Sequence, residues 1–109
     1  MFAVHEEFRC DIEPDRERVV VRPVGEVDLA TSERVHVALR ELREAGFTRI
    51  VIDLRRVTFL DSSGLRVLIS WAQGAESDGY DLGIVPHSPP VMRLLELTGA
   101  MERLPLIEP

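Results

Sequence analysis

The sequence predicts an α/β domain with a mixed, mostly parallel sheet of four to five strands and helices packed around it. Short runs rich in Val and Ile alternate with amphipathic stretches of helical length, in the order β-β-α-β-α-β-α-β. Strands joined through a helix pair in parallel, whereas the first two are separated only by a turn and predict an N-terminal antiparallel hairpin. A chain of 109 residues suits a single domain over 1–109.

The individual elements follow from the local pattern of apolar and turn-forming residues. Pro and Asp at 13–17 mark the first turn, glycines end the helices, and proline is tolerated in a first helical turn. The predicted strands are residues 2–12, Val19 to the G-E-V-D sequence at 25–28, 49–54, 80–85 and 103–107. The predicted helices run from Thr31 or Ser32 to Ala45, from Ser62 to just before Gly79, and from Ser88 to Gly99. Pro23 cannot donate to a strand ladder, so we expect it at a strand end or an unpaired position. The segment closed by Phe59 and Leu60 is expected to be a loop, and the strand at 49–54 to be covered on both faces.

Composition argues against several classes of function. The net charge of −6 disfavours a nucleic-acid or anionic-membrane surface, because both require clustered positive charge. The single cysteine, Cys10, can form no internal disulfide, which favours a reducing cytoplasm and an inert thiol that is buried or half-buried in the first strand. The longest apolar run is MFAV at residues 1–4, so we expect neither a signal peptide nor a membrane span.

Two polar loops lie where predicted strands end and helices begin, at 25–28 and at 61–64. Such positions form sites in open α/β sheets, and the two loops could lie side by side. In the second loop, D-S-S-G, one Ser or Asp side chain suffices to cap the helix, which leaves hydroxyl groups to spare. A phosphate on Ser62 would gain from the helix N–H groups and dipole, and its ~1.5 to 2 negative charges would repel a docked partner. The residues alone leave open whether this is a phosphorylation site or only a helix cap.

Residues that would support catalysis are missing or scattered, so we predict no catalytic residue, metal or cofactor. His5, His36 and His87 lie in unrelated contexts without ligand spacing, and His36 is expected to face solvent. There is no G-x-S-x-G sequence for a serine hydrolase, and the absence of lysine excludes a Walker-type nucleotide loop. Asp28 is expected to cap the following helix or the turn before it, although Glu26 and Asp28 could also form an acidic rim for a partner that bears Arg or Lys.

Three sequence segments resemble those of one family. G-E-V-D at 25–28 and D-L-R-R-V-T-F-L-D-S-S-G-L at 53–65 are similar to the G-E-[LV]-D and D-L-x-x-V-x-F-[ML]-D-S-S-G-L patterns of STAS-domain anti-sigma-factor antagonists, also called anti-anti-sigma factors. SPPVMRLLELTG at 88–99 resembles the S-P-x-V-x-R-L-[LF]-x-[LM]-[ST]-G segment of that family. The resemblance covers nearly the whole chain with the elements in order, and it implies the STAS fold.

The resemblance implies a bacterial, cytoplasmic partner-switching protein that regulates transcription and is not an enzyme. The unphosphorylated antagonist would bind an anti-sigma factor that is a GHKL-type serine kinase, and so release a sigma factor. The kinase would phosphorylate Ser62, the first serine of D-S-S-G, and a phosphatase would reverse the modification. No nucleic acid or membrane partner is implied, and we expect a monomer or weak dimer. The partner-binding residues are then Glu26, Asp28, Leu60, Asp61, Ser62, Ser63 and Gly64, with Leu60 rather than Phe59 as the exposed apolar anchor.

Two other interpretations stay open. A scaffold or nucleotide-sensing STAS domain of a stress-signalling assembly would have the same fold, but it would form a very large particle or bind nucleotide tightly. An acyl-transfer enzyme that uses Ser62 would react with a fluorophosphonate probe, a result that we do not expect.

Overall fold

The computed structural model describes residues 7–109 as three helices and five strands. In chain order the elements are β1 (Arg9–Asp15), β2 (Arg18–Val27), α1 (Ser32–Glu44), β3 (Arg49–Asp53), β4 (Val57–Leu60), α2 (Ser62–Asp78), β5 (Asp81–Val85), α3 (Pro89–Thr98) and a 3₁₀ turn (Ala100–Arg103). The three helices lie where the sequence predicts them. Residues 2–6 of the predicted first strand lie outside the described residues.

The strands form one mixed sheet in the order β1-β2-β3-β5, with β4 paired to β2. β1 and β2 form an antiparallel hairpin, whereas β2, β3 and β5 run parallel to one another and β4 runs parallel to β2. The predicted α/β class and the predicted antiparallel hairpin are therefore confirmed. Because β2 and β4 are parallel, the loops that follow them emerge at the same edge of the sheet.

β2 is long enough to pair with two strands in succession on one side. Val19–Val21 pair with β3, and Gly25–Val27 pair with β4 after a change of register. Pro23 lies in the gap between these two partners, where no described strand pairs with that side of β2. On its other side Pro23 is in register with Cys10 of β1, in the middle of the strand. The expectation of a strand end or an unpaired position therefore holds only for the side of β2 that faces β3 and β4.

Two predicted elements are wrong. The segment closed by Phe59 and Leu60 is not a loop but the strand β4, whose partner β2 is distant in sequence and leaves no local signal. The strand predicted at 103–107 is a 3₁₀ turn followed by a single parallel bridge between Leu106 and Ile84. Two backbone hydrogen bonds join this segment to Ile84 of β5. Ile84 N donates to the Pro105 carbonyl at 2.9 Å, and Ile107 N donates to the Ile84 carbonyl at 2.8 Å.

The hydrophobic core lies on one face of the sheet, under all three helices. β-branched residues of the central strands pack there against leucines and valines of the helices: Val19, Val21, Ile50, Ile52, Ile84, Val35, Leu39, Leu65, Leu68, Val91 and Leu95. The opposite face carries ion pairs between neighbouring strands, including Arg22 with Glu13 at 2.9 Å and Arg22 with Asp53 at 3.1 Å. Val51 on this second face is only half-buried. The prediction that β3 is covered on both faces is therefore wrong for the second face.

None of the helices within residues 7–109 is both long enough and apolar enough to span a membrane.

Candidate functional site

Asp61 caps the start of α2. Its Oδ1 accepts hydrogen bonds from the backbone N–H groups of Ser63 at 2.8 Å and Gly64 at 3.2 Å, and its carbonyl accepts from Leu65 N at 3.0 Å. An N-cap residue in the extended conformation with a short carboxylate is the usual way to satisfy these groups. The aspartate therefore does the capping, and neither serine of D-S-S-G is needed for it.

Ser62 is the first helical residue and is exposed. Among residues 7–109 its hydroxyl takes part in no hydrogen bond, which leaves it accessible to a modifying enzyme. Ser63, one position later, is half-buried. Of the two hydroxyl groups predicted to be spare, Ser62 is the more accessible.

Gly64 allows α2 to approach the sheet closely. A Cβ at this position would lie 2.8 Å from Val27 Cγ1, 3.2 Å from the Val27 carbonyl oxygen and even closer to Leu60 Cδ1. Carbon atoms in contact are normally ~3.5–4.0 Å apart, so only glycine fits without a shift. The structure gives Gly64 a packing role within the chain, and its contact with a partner stays a prediction.

The turn between β2 and α1 is held by its own side chains. Asp28 Oδ1 accepts from Ala30 N at 2.9 Å and Thr31 N at 3.1 Å, so of the two expected roles Asp28 caps the turn before α1, while the N-cap of the helix is Thr31. The Thr31 hydroxyl donates to the Glu26 carbonyl at 2.6 Å and accepts from Asp28 N at 3.0 Å. Glu26 is exposed and takes no part in these bonds through its carboxylate.

The two polar loops lie side by side, as predicted. Glu26 is in register with Phe59 and Val27 with Leu60, and Asp61 N donates to the Val27 carbonyl at 3.2 Å. The backbone that precedes Ser62 is thus hydrogen-bonded to the backbone that precedes Asp28. Rigid strands on both sides position the serine, so the site does not depend on a mobile loop.

The exposed apolar side chain at this edge is Phe59 and not Leu60. Leu60 is 5% exposed and packs in the core under Gly64, whereas the Phe59 side chain is 46% exposed. The predicted exposure of Leu60 is wrong: successive strand residues point to opposite faces, and in this strand Phe59 faces outward and Leu60 inward. Leu29, in the turn after β2, is 80% exposed and was not singled out by the sequence. We call Glu26, Leu29, Phe59 and Ser62 together the Ser62 surface.

The buried carboxylate of Asp53, paired with Arg22 and Arg55, fixes the turn that leads into β4. Asp53 is 3% exposed at the end of β3 and accepts from Arg22 Nε at 3.1 Å, Arg55 Nη2 at 2.9 Å and Arg55 N at 3.1 Å. Burial alone would raise the pKa of the Asp53 carboxyl, but the hydrogen bonds from Arg55 and Arg22 outweigh it and lower the pKa to about 2. Asp53 is therefore a charged structural residue that orients the path to Phe59 and Ser62.

The remaining reactive residues do not gather at this edge. The prediction that His36 faces solvent is wrong. Its Nδ1 accepts a hydrogen bond from the Trp71 indole at 3.0 Å, between α1 and α2. Cys10 is half-buried in β1, as predicted, and burial, with a smaller effect of the Asp11 charge, raises the pKa of its thiol to about 11. His87 is exposed before α3, and His5 lies outside the described residues. Within residues 7–109, no three His, Cys, Asp or Glu side chains are grouped to hold a metal ion.

The edge of the sheet that follows β2 and β4 thus presents an accessible serine beside exposed apolar and acidic residues. The family model described as "Mlab, STAS domain" matches residues 10–108 of the chain. The chain belongs to the STAS-domain family and groups with its anti-sigma factor antagonists, which are regulatory binding proteins and not enzymes.

Three relatives illustrate the relationship. The anti-sigma F factor antagonist of Paenibacillus polymyxa is 30% identical over 102 residues, which cover 93% of this chain and 87% of the relative. An anti-sigma-B factor antagonist of Staphylococcus aureus is 29% identical over 79 residues, covering 72% of this chain and 73% of the relative. The crystal structure of an anti-sigma factor antagonist from Mycobacterium paratuberculosis superposes with a TM-score of 0.77 at 28% identity, covering 92% of this chain and 85% of that one.

Proposed function

We propose that this protein is an anti-sigma factor antagonist that binds an anti-sigma factor through the Ser62 surface and is released when Ser62 is phosphorylated. The observation that carries the proposal is the position of the Ser62 hydroxyl. It is exposed and free of hydrogen bonds within the described residues, and it follows directly on the strand that presents Phe59. The names of the relatives support the partner class.

The binding contribution of the surface is expected to come from its apolar residues. Phe59 and Leu29 are large, exposed and held on a strand and on a hydrogen-bonded turn, so little conformational entropy is lost when a partner covers them. The carboxylates of Glu26 and Asp61 lie beside them and favour a partner surface with arginine or lysine at its rim.

Phosphorylation is expected to act on binding directly and without a change of fold. A phosphate adds ~1.5 to 2 negative charges at a surface that already carries Glu26 and Asp61. Bringing this additional negative charge into an interface costs several kcal/mol through desolvation and repulsion, so a loss of binding of about 100-fold or more follows. A rigid site with an exposed hydroxyl suits such a switch.

The enzymes that write and erase this mark are part of the proposal. We expect the anti-sigma factor to be the serine kinase, of the GHKL ATPase type, and a separate phosphoserine phosphatase to remove the phosphate. Both would meet this protein in the cytoplasm, where a released sigma factor binds RNA polymerase. The D-S-S-G match to the antagonist family supports the choice of Ser62 over Ser63.

The experiment compares the binding of charge-mimicking and neutral variants. The candidate partner is an anti-sigma factor encoded beside this gene, and affinities are measured by calorimetry. We expect Ser62→Ala to bind like the wild type and Ser62→Glu to bind about 100-fold more weakly or worse. Ser70→Glu, at an exposed serine two turns further along α2, serves as the matched control and should bind within a few-fold of the wild type. Loss of binding in Ser62→Ala, or equal binding by both glutamate variants, would overturn the proposal.

A further inference from the structure

A phosphate on Ser62 would not find the start of α2 free to receive it. The N–H groups of Ser63, Gly64 and Leu65 already donate to Asp61, through its carboxylate or its carbonyl. The Asp61 carboxylate also adds a negative charge next to the modified residue. The N–H groups that would otherwise bind an anion at this helix N-terminus are therefore largely occupied by Asp61. A phosphate on Ser62 needs a cation from elsewhere.

Arg66 is the cation that α2 places one turn after Ser62. Side chains on a helix lean toward its N-terminus, so an arginine at position i+4 extends back over the residue at position i. An acidic group that precedes a basic group by four residues is the favourable order for such a pair. Arg66 is exposed, so its guanidinium can reach a phosphate on the helix surface.

No carboxylate competes for Arg66 along α2. Its neighbours three and four positions away are Ser62, Ser63, Ile69 and Ser70, none of which is acidic. Of the ion pairs formed within residues 7–109, none includes Arg66. By contrast, the arginines of the second sheet face are paired with Asp or Glu.

We propose that Arg66 is the phosphoserine-binding residue of the switch, and that it holds the phosphate of modified Ser62 along the surface of α2. This inference rests on the proposed function, because it requires that Ser62 is phosphorylated. Arg66 favours the dianion, because each charge on the phosphate strengthens the pair. A phosphate held in this way keeps its full charge near neutral pH and stays directed across the Ser62 surface.

The test is a titration of the phosphate itself. Phosphoserine is installed at position 62 of the full chain by genetic-code expansion, and the midpoint of its second ionisation is followed by ³¹P NMR. Arg66→Gln should raise this midpoint by about 0.3 pH units or more, which corresponds to the twofold loss expected when one helical ion pair is removed. Arg66→Lys should stay near the parent value, and the difference should shrink in about 1 M salt, where screening is strong.

A matched control removes an arginine at the other end of the sheet. Arg49, at the start of β3, is also exposed, and although it is paired with Glu17 at 3.5 Å, Arg49→Gln makes the same change in net charge far from the start of α2. Equal midpoints for Arg66→Gln and the parent, or equal shifts in Arg66→Gln and Arg49→Gln, would overturn the inference. This outcome is independent of partner binding: if Ser62→Glu binds the anti-sigma factor normally, the proposed function fails whatever the titration shows.

Discussion

Replacing Leu60 and Phe59 by alanine, one at a time, should separate the stability of the fold from the binding of a partner. Leu60 is 5% exposed and packs against Val27 and α2, and truncating a buried leucine typically costs about 2–5 kcal/mol of unfolding free energy. For a domain of this size that lowers Tm by roughly 10 to 20 °C. Phe59 is 46% exposed, so only about half of its side-chain surface is buried in the folded protein. Truncating it to alanine therefore costs only about 1 kcal/mol of unfolding free energy.

The effects on binding should be reversed. Phe59→Ala is expected to weaken binding of the anti-sigma factor by about 2 kcal/mol or more, roughly 30-fold, as for an aromatic residue central to an interface. Leu60→Ala should keep most of its affinity at a temperature where it is folded. Urea denaturation gives the stabilities, and calorimetry gives the affinities. If Leu60→Ala were as stable as the wild type while binding was lost, or if Phe59→Ala bound normally, the assignment of the anchor would be refuted.

Three further predictions concern the residues that hold the site in place. Asp61→Ala removes the cap of α2 and should cost about 1 kcal/mol in urea denaturation, with faster amide exchange at the start of that helix. Gly64→Ala gains about 1 kcal/mol of helix propensity, but it crowds Val27 and Leu60 at a cost of about 1–3 kcal/mol, so we expect net destabilisation of up to about 2 kcal/mol. The pKa of Asp53 falls from 3.8 to about 2 on folding, so its contribution of about 2 kcal/mol is present above pH 4 and lost between about pH 4 and 2. Asp53→Asn should therefore be less stable at pH 7 and lose less stability over that acid range; equal pH profiles for the two proteins would contradict this.

Local patterns were sufficient for the helices and for the position of Ser62. The D-S-S-G sequence and the apolar stripe after it predict a helix start, and α2 begins at Ser62. The side-by-side placement of the two loops was also expected, because parallel strands end at one edge, although the strand that positions the second loop is the unpredicted β4. These features depend on residues close together in sequence or on general rules of chain topology.

Features that depend on distant pairing could not be predicted. β4 has only four residues and exists because the far end of β2 has no other partner on that side among the described residues. β4 also does not alternate regularly, because its register with β2 shifts between Gly25 and Glu26, so no two-residue period assigns Phe59 to the surface and Leu60 to the core. The bond between Trp71 and His36 joins residues 35 positions apart, and nothing near either residue indicates it. Whether Asp61 or Ser62 caps the helix depends on where the helical backbone begins: Asp61 is extended and Ser62 is already helical.

The most direct test of the central claim is to map the residue that the anti-sigma factor modifies. The protein is incubated with its partner kinase and ATP, and the products are digested and analysed by tandem mass spectrometry. A single phosphate on Ser62, absent from Ser62→Ala and still present in Ser63→Ala, is the predicted result. A phosphate on Ser63 or on any other residue, with Ser62 unmodified, would contradict the account.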